Sequence, residues 1–289
     1  MLLPLLLAGC SGGGAESDAQ GKGSSGTPAS GSPASGSPAS GSPASGSPSG
    51  SAADSPSGSA SGSPSAPSSG PAPSSALVDA DPARLPKNRS AALALIDKVI
   101  AEPDSFGPGV VKRSPYESDP ATWPVLGADC VWAQQKPARN VLATVTRNFE
   151  VPAAKGRGPV RLAAVVTVHR TRQDAEWEMA ESLEETMRCP TQQLRQGELI
   201  GSMISAALLQ GESTQNNSED SLAETGQFQS EELGGPHPYA WQQAQTLQFT
   251  VAVTGKGAKG RTDKELEDLV TQAQAAMLVR LESAIEKQS

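Results

Sequence analysis

The sequence VLATVTRNFEV at residues 141–151 decides the fold class, because apolar and polar side chains alternate along it. A second run, VRLAAVVTVHR at residues 160–170, alternates in the same way. A period of two predicts β-strands with one buried face and one solvated face. The glycine-containing connection at residues 152–158 favours an antiparallel hairpin between the two strands.

Helical periodicity appears on both sides of this hairpin. Residues 90–101 place Leu93, Ile96, Val99 and Ile100 on one face and end before Pro103, which predicts a helix. A second helix is predicted at residues 172–188, with Thr171 as its N-cap and Asp174 three residues later. Its apolar stripe is Ala175, Met179, Leu183 and Met187. A long helix at residues 263–287 has the stripe Leu266, Val270, Ala273, Met277, Leu281 and Ala284.

The remaining segments complete the predicted domain. Residues 247–253 alternate and predict a strand, and residues 128–135 predict a short one. Residues 103–124 are rich in proline and favour a loop. Residues 197–209 favour a helix, and residues 211–232 favour a mobile polar loop. The sequence therefore predicts an α+β domain in which a twisted antiparallel sheet carries helices on one face.

The N-terminus resembles a bacterial lipoprotein signal, through Leu7-Ala8-Gly9-Cys10. Residues 1–9 are too short to span a bilayer but suit the apolar part of a signal peptide. The resemblance implies that cleavage leaves Cys10 first and that its thiol carries a diacylglyceryl group, whose two acyl chains anchor the protein to the cell membrane, facing outwards. Because the first cationic residue is Lys22, we expect the true start to lie upstream of Met1.

Residues 10–76 are expected to be the lipid anchor and a disordered linker. The unit Pro-Ala-Ser-Gly-Ser repeats between Pro28 and Ser47. A repeat without large apolar side chains cannot offset the entropy of ordering its backbone. The linker would act either as a stalk or as a spacer without a length requirement. A single extracytoplasmic domain is then expected at residues 77–289.

Charge and cysteine content narrow the function. The net charge of −8 argues against nucleic acid as a partner, because an acidic protein repels phosphate backbones. Cys130 and Cys189 predict one disulfide in an exported domain. A redox-active or metal-binding pair is the alternative, but neither cysteine lies in a Cys-x-x-Cys motif. We expect no cofactor and no metal.

A glycine motif that resembles a dinucleotide-binding fingerprint, two histidines and a group of acidic residues all favour interpretations without catalysis. Gly255, Gly257 and Gly260 match the G-x-G-x-x-G pattern, but no strand follows the final helix, so we expect a glycine turn that leads into a helix capped by Thr262. His169 and His237 lie in no known catalytic motif, and the acidic residues at 174–185 are expected on a solvated helix face. We expect no catalytic residue.

Two further groups of residues are candidate binding sites. Arg147, Lys155, Arg157 and Arg161 cluster around the hairpin and could contact an anionic envelope polymer, although a solvated hairpin tip is favoured. Pro236, His237, Tyr239 and Trp241 combine two aromatic rings with a rigid turn and form a candidate ligand-binding patch. Core packing at the entrance of a strand is the alternative interpretation of this patch.

The order of elements resembles a known group of sensor domains. A helix at residues 93–100 comes first, Cys130 precedes the hairpin, a helix ends at Cys189, and a strand and a long helix close the chain. In this order, residues 85–289 resemble the extracellular sensor domain of mycobacterial PknH-type serine/threonine kinases and related actinobacterial lipoproteins. The resemblance implies a cleft for an unidentified ligand. The chain differs in having one possible disulfide instead of two, and no kinase domain or transmembrane helix.

These observations predict a surface-tethered lipoprotein whose domain binds or senses a cell-envelope ligand or an exported partner without catalysis. One alternative is an envelope structural or assembly protein that acts through protein contacts. A further alternative is an exported hydrolase with a dispersed active site.

Overall fold

The computed structural model describes residues 78–207 and 218–287. Three α-helices lie in this part of the chain: α1 (Arg89–Val99), α2 (Arg172–Arg188) and α3 (Asp263–Ile285). The strands are β1 (Val111–Glu117), β2 (Trp123–Leu126), β3 (Trp132–Gln135), β4 (Val141–Val151), β5 (Val160–His169), β6 (Gln192–Arg195), β7 (Glu198–Ala207), β8 (Asp220–Ser230), β9 (Gly234–Thr246) and β10 (Phe249–Lys256). The predicted signal peptide, lipid anchor and linker lie outside the described residues.

Eight of the strands form one antiparallel sheet in the order β1-β4-β5-β10-β9-β8-β7-β6, and β2 pairs with β3 separately. The predicted hairpin is confirmed as β4 and β5, whose paired residues run from Val151 opposite Val160 to Val141 opposite His169. The predicted strand at residues 247–253 is confirmed as β10, although Leu247 lies in the tight turn before it. The α+β class is therefore confirmed.

One face of the eight-stranded sheet forms the apolar core, and it is called the first face. The apolar positions of β4, β5 and β10 point into it, and Phe149, Val166 and Val251 are completely buried. Helices α1 and α3 cover this face. Their stripes are confirmed, with Ile96 and Leu266 fully buried. Each such side chain contributes about 1.5–3 kcal/mol when it is removed from water, so this layer supplies most of the apolar burial in the domain.

The prediction that all helices lie on one face is wrong, because α2 packs on the second face. It contacts β5 and β7 to β10. That face is buried although it is polar: Thr144, Thr167, Gln243 and Thr250 are at most 3% exposed. Alternation along a strand separates two faces, but it does not show what covers each of them.

Several segment predictions are also wrong. The helix predicted at residues 197–209 is wrong where the structure describes it, because β7 occupies Glu198–Ala207; residues 208 and 209 lie outside the described part. Periodicity alone cannot distinguish a short apolar strand from a helix. The predicted loop at residues 211–232 contains β8, while residues 211–217 lie outside the described part. The predicted loop at residues 103–124 contains a 3₁₀ turn (Pro103–Phe106), β1 and β2. The strand expected at 128–135 begins at Trp132.

The predicted disulfide between Cys130 and Cys189 is confirmed, and their Cα atoms are 5.6 Å apart. Cys189 is the C-cap of α2, and Cys130 lies in the turn before β3. The bond therefore ties the end of the helix on the polar face to the small β2–β3 hairpin.

We predict that Cys130→Ser destabilises the domain. The bond joins residues 59 positions apart, and closing a loop of this length contributes about 4 kcal/mol in the chain-entropy description. The melting temperature should fall by about 10 °C, as measured by circular dichroism. Reduced wild-type protein should melt like the variant. Equal melting of the oxidised wild type and the variant would contradict the stabilising role of the bond.

Candidate functional site

A cleft of about 440 Å³ lies between α2 and the polar face of the sheet. Its floor includes Ala163 and Val165 of β5 and Thr254 of β10. Aromatic side chains contribute to its walls, namely Trp132, Tyr239 and Trp241. A smaller cavity of about 140 Å³ shares Trp132, Val165 and Trp241 with it. Because the two cavities share these residues, they adjoin each other, and together they are called the cleft.

Helix α2 presents a polar face to this cleft. Glu178, Ser182 and Glu185 are spaced by four and three residues, so they lie on one side of the helix, and all three line the cleft. The predicted apolar stripe is correct only for its first half. Ala175 and Met179 are buried, whereas Leu183 is 37% exposed and Met187 76% exposed.

Glu178 anchors α2 to the sheet at one end of the cleft. Its carboxylate accepts hydrogen bonds from Nε2 of Gln243 at 2.7 Å and from the hydroxyl of Thr250 at 2.9 Å. Nε2 of His169 lies 2.5 Å from Oε2 of the same carboxylate. The prediction of a solvated acidic face is therefore wrong at Glu178, whose side chain is 16% exposed.

Two further carboxyl groups of the cleft have raised pKa values. Burial, and then the neighbouring charge of Glu181, raise the pKa of Glu185 to about 7. Burial also raises the pKa of Glu224, although the hydroxyl of Thr186 donates a hydrogen bond to its carboxylate. A protonated carboxyl group donates a hydrogen bond that a carboxylate cannot, so this end of the cleft offers both donors and acceptors near neutral pH.

The opposite end of the cleft is lined by cationic side chains. Arg195 and Lys256 both form ion pairs with Glu198, and Arg113 lies in the same wall. Burial, followed by the charges of Arg161 and Arg195, lowers the pKa of the Arg113 guanidinium. Burial also lowers the pKa of Lys256, and Glu198 only partly offsets this.

The four residues of the candidate ligand-binding patch do not lie together in the structure. Tyr239 and Trp241 alternate along β9 and line the cleft. Pro236 and His237 are not in its wall, and Nε2 of His237 is 2.9 Å from the carbonyl oxygen of Leu233. Ligand binding by these four residues stays a prediction, and the structure brings only two of them to the cleft.

The basic cluster around the hairpin is not a single surface. Arg147 is 6% exposed and pairs with Asp97, Glu102 and Glu117 on the α1 side of the sheet. Arg161 is 4% exposed on the opposite face. The interpretation as a solvated hairpin tip is wrong for both arginines, because a sequence pattern does not show which carboxylates pair with them.

The glycine motif is a turn into a helix, as predicted. A Cβ atom at Gly255 would lie 3.1 Å from Val270 of α3, so the strand and helix approach each other closely there. The hydroxyl of Thr262 accepts a hydrogen bond from the backbone of Glu265 at the start of α3. The carboxylate of Glu265 accepts a hydrogen bond from the guanidinium group of Arg261.

The pair of His169 and Glu178 is the arrangement closest to catalytic chemistry. Within residues 78–207 and 218–287, Nδ1 of His169 is buried without a hydrogen-bond partner. The acid–histidine pair therefore lacks the hydroxyl or thiol that would complete a nucleophilic triad. The same residues contain no group of histidine, cysteine and carboxylate side chains that could hold a metal ion.

Sequence reasoning missed Arg113, Glu178, Glu185 and Lys256. One signal was present: the second face of β5 carries Ala163, Val165 and Thr167, which is a weakly polar set for a strand face open to water. Such a composition indicates that another element covers the face.

Comparisons with known proteins do not identify a family. No family model and no curated protein matches the chain. A crystal structure titled as a putative uncharacterized protein, the Rv0999 ortholog from Mycobacterium smegmatis, is similar at 13% sequence identity with a TM-score of 0.30. The match covers 70% of this chain and 100% of that one. None of the helices in the described residues is long and apolar enough to cross a bilayer.

We predict that Glu185→Gln changes how stability depends on pH. Because burial raises the pKa of Glu185 from 4.5 to about 7, the folded state binds more protons than the unfolded state between these values. Wild-type stability therefore falls as the pH rises through this window and changes no further above it. The variant should match the wild type at about pH 4 and exceed it at about pH 8 by up to about 2 kcal/mol, allowing for solvent screening.

Urea denaturation at the two pH values measures this difference. The matched control is Glu176→Gln, which removes the same charge from an exposed position of α2 and should show no such pH dependence. Equal effects of the two substitutions would contradict the assignment of the raised pKa to Glu185.

Proposed function

We propose that the domain binds a small amphipathic molecule of the cell envelope in the cleft beneath α2, without catalysis. The observation that carries this proposal is a cleft whose walls combine aromatic rings with charged side chains. Its volume of about 440 Å³ falls within the range of known small-molecule sites. Concave sites with apolar walls and a few polar groups are the usual form of such sites.

The aromatic walls are held in place before any ligand arrives. Nε1 of Trp132 donates a hydrogen bond to Oε1 of Gln192 at 2.8 Å, which fixes the orientation of the indole ring. Tyr239 is 7% exposed and packs against Phe228 and Ile200, and burial raises the pKa of its hydroxyl, which therefore stays neutral. Rigid aromatic walls reduce the conformational entropy lost on binding, which favours recognition of a small molecule.

The proposal includes a lipid anchor at Cys10 and a tether formed by the linker up to residue 76. A domain held in this way would meet ligands outside the membrane. The resemblance to PknH-type sensor domains belongs to the same proposal, with the cleft as the sensing site. In this proposal, another protein would recognise the ligand-bound state of the domain.

The neutral dye N-phenyl-1-naphthylamine tests the cleft directly. It should bind the full chain saturably, with one site, and raise the melting temperature. Trp241→Ala removes a wall of the cleft and should weaken binding about tenfold, which corresponds to about 1.4 kcal/mol. The control Trp177→Ala, on α2 but 59% exposed and outside the cleft wall, should bind the dye like the wild type.

Two results would count against binding in the cleft. One is the absence of saturable dye binding, and the other is equal loss of binding in the Trp241 and Trp177 variants. Either result would favour the alternative of an assembly protein that acts through protein contacts.

A separate substitution tests the tether. In cells of the source organism, Cys10→Ser should move the protein from the membrane fraction to the soluble fraction or the medium, because no acyl chain can then be attached. Immunoblotting of the fractions measures this. Retention of Cys10→Ser in the membrane would contradict the anchor while leaving the binding proposal intact.

A further inference from the structure

The cationic end of the cleft contains a guanidinium group without a partner. Arg113 of β1 lines the cleft, and no ion pair or hydrogen bond joins its side chain to the described residues. The like charges of Arg161 and Arg195 act on it more strongly than the carboxylates of Glu150 and Glu198. A guanidinium has five N–H donors and keeps its charge in proteins, so a position among other cations is unfavourable unless an anion or water satisfies it.

The neighbouring ion pairs leave positive charge uncompensated. Glu198 is shared between three cations, lying 2.7 Å from Arg161, 2.5 Å from Arg195 and 3.6 Å from Lys256. Glu232 also pairs with Arg161, but its side chain is 67% exposed. Even with the more distant Glu150, four cations face three carboxylates, which leaves an excess of one positive charge.

A second unsatisfied donor lies in the same cluster. Nε of Arg161 is buried without a hydrogen-bond partner in the described part of the chain, and the residue is 4% exposed. Native proteins leave few buried donors unpaired. Arg161 does not line the cleft, but its ion pair occupies part of the Glu198 carboxylate that does. Arg113 is therefore the cation in the wall that an acidic group would complete.

The rest of the cleft restricts what such a group can be attached to. Next to the cationic end, the wall continues with Leu194, Ile200 and Val165, and with the ring of Trp132. Glu185 and Glu224 also line the cleft, and their carboxylates would disfavour a second anion. The cleft therefore combines cations that suit one negative charge with apolar wall residues.

We propose that Arg113, Arg195 and Lys256 form an anion subsite, and that the ligand of the cleft is an amphiphile with one acidic head group, such as a carboxylate, sulfonate or phosphate ester. This inference rests on the proposed function, because it specifies the ligand class of the same cleft. The head group binds at the Arg113 end, and the apolar body lies along Trp132 and Val165.

Two dyes with the same aromatic body provide the test. 1-Anilinonaphthalene-8-sulfonate differs from N-phenyl-1-naphthylamine by one sulfonate. The full wild-type chain should bind the sulfonate at least about tenfold more tightly, since charge-assisted hydrogen bonds are the strong ones. The preference should fall as salt is raised. Each dye should also raise the melting temperature, which distinguishes binding to the folded state from binding to partly unfolded protein.

Arg113→Met should remove most of this preference. Binding of the sulfonate should weaken about tenfold, while binding of the neutral dye should stay unchanged. The matched control Lys155→Met deletes one positive charge at the exposed tip of the β4–β5 hairpin and should leave both affinities unchanged. The ratio of the two affinities in the wild type needs no variant, so it decides the matter even if Arg113→Met fails to fold.

Inorganic phosphate distinguishes an amphiphile from a free anion. Phosphate that displaces only the sulfonated dye, at a much lower affinity, would support the subsite and the need for an apolar body. Phosphate that stabilises the chain as strongly as the sulfonated dye would overturn the amphiphile. Equal binding of the two dyes would overturn the anion subsite and leave the proposed function standing, whereas binding of neither dye would remove both.

Discussion

The packing of α2 across the polar face of the sheet is the constraint on which the rest of the structure depends. The helix is held at two points. Near its first turns, Glu178 hydrogen-bonds to His169, Gln243 and Thr250 of three different strands. At its C-cap, the disulfide of Cys189 joins it to the turn before β3. Between these points the helix cannot settle freely onto the sheet, and the cleft lies there.

The two helical layers on the sheet are therefore stabilised by different interactions. The layer of α1 and α3 is apolar and depends on the removal of side chains from water. The layer of α2 is polar, and a buried polar group is unfavourable unless it is hydrogen-bonded. Glu178 satisfies its acceptors, but Nδ1 of His169 and Oε1 of Gln243 remain unpaired within the described residues. Polar groups that keep an unused donor or acceptor beside a cavity can hydrogen-bond to a ligand, whereas they add little to the close packing of the domain.

Local patterns in the sequence were sufficient for much of the fold and for little of the site. Alternation identified β4, β5 and β10, and Thr171 and Thr262 were recognised as N-caps because capping depends on neighbouring residues. The helix predicted over residues 198–207 is wrong, since strand β7 gains its stability from pairing with β8, which is not a local property. Arg113 and Glu185 became recognisable only when distant strands and a helix placed them around one cavity.

The two halves of α2 pack differently, and this difference leaves room for the cleft. In its first half, Ala175 and Met179 are buried and bring the helix close to the sheet. In its second half, Leu183 is 37% exposed and Met187 76% exposed, so apolar burial draws that half inwards less strongly. Closing the cleft would bury Glu185 further, and that burial would oppose its charge, while the disulfide limits movement away from the sheet. A cavity kept open by an unfavourable closure and a covalent bond is preorganised, and a ligand that fills it need not meet the energetic cost of forming it.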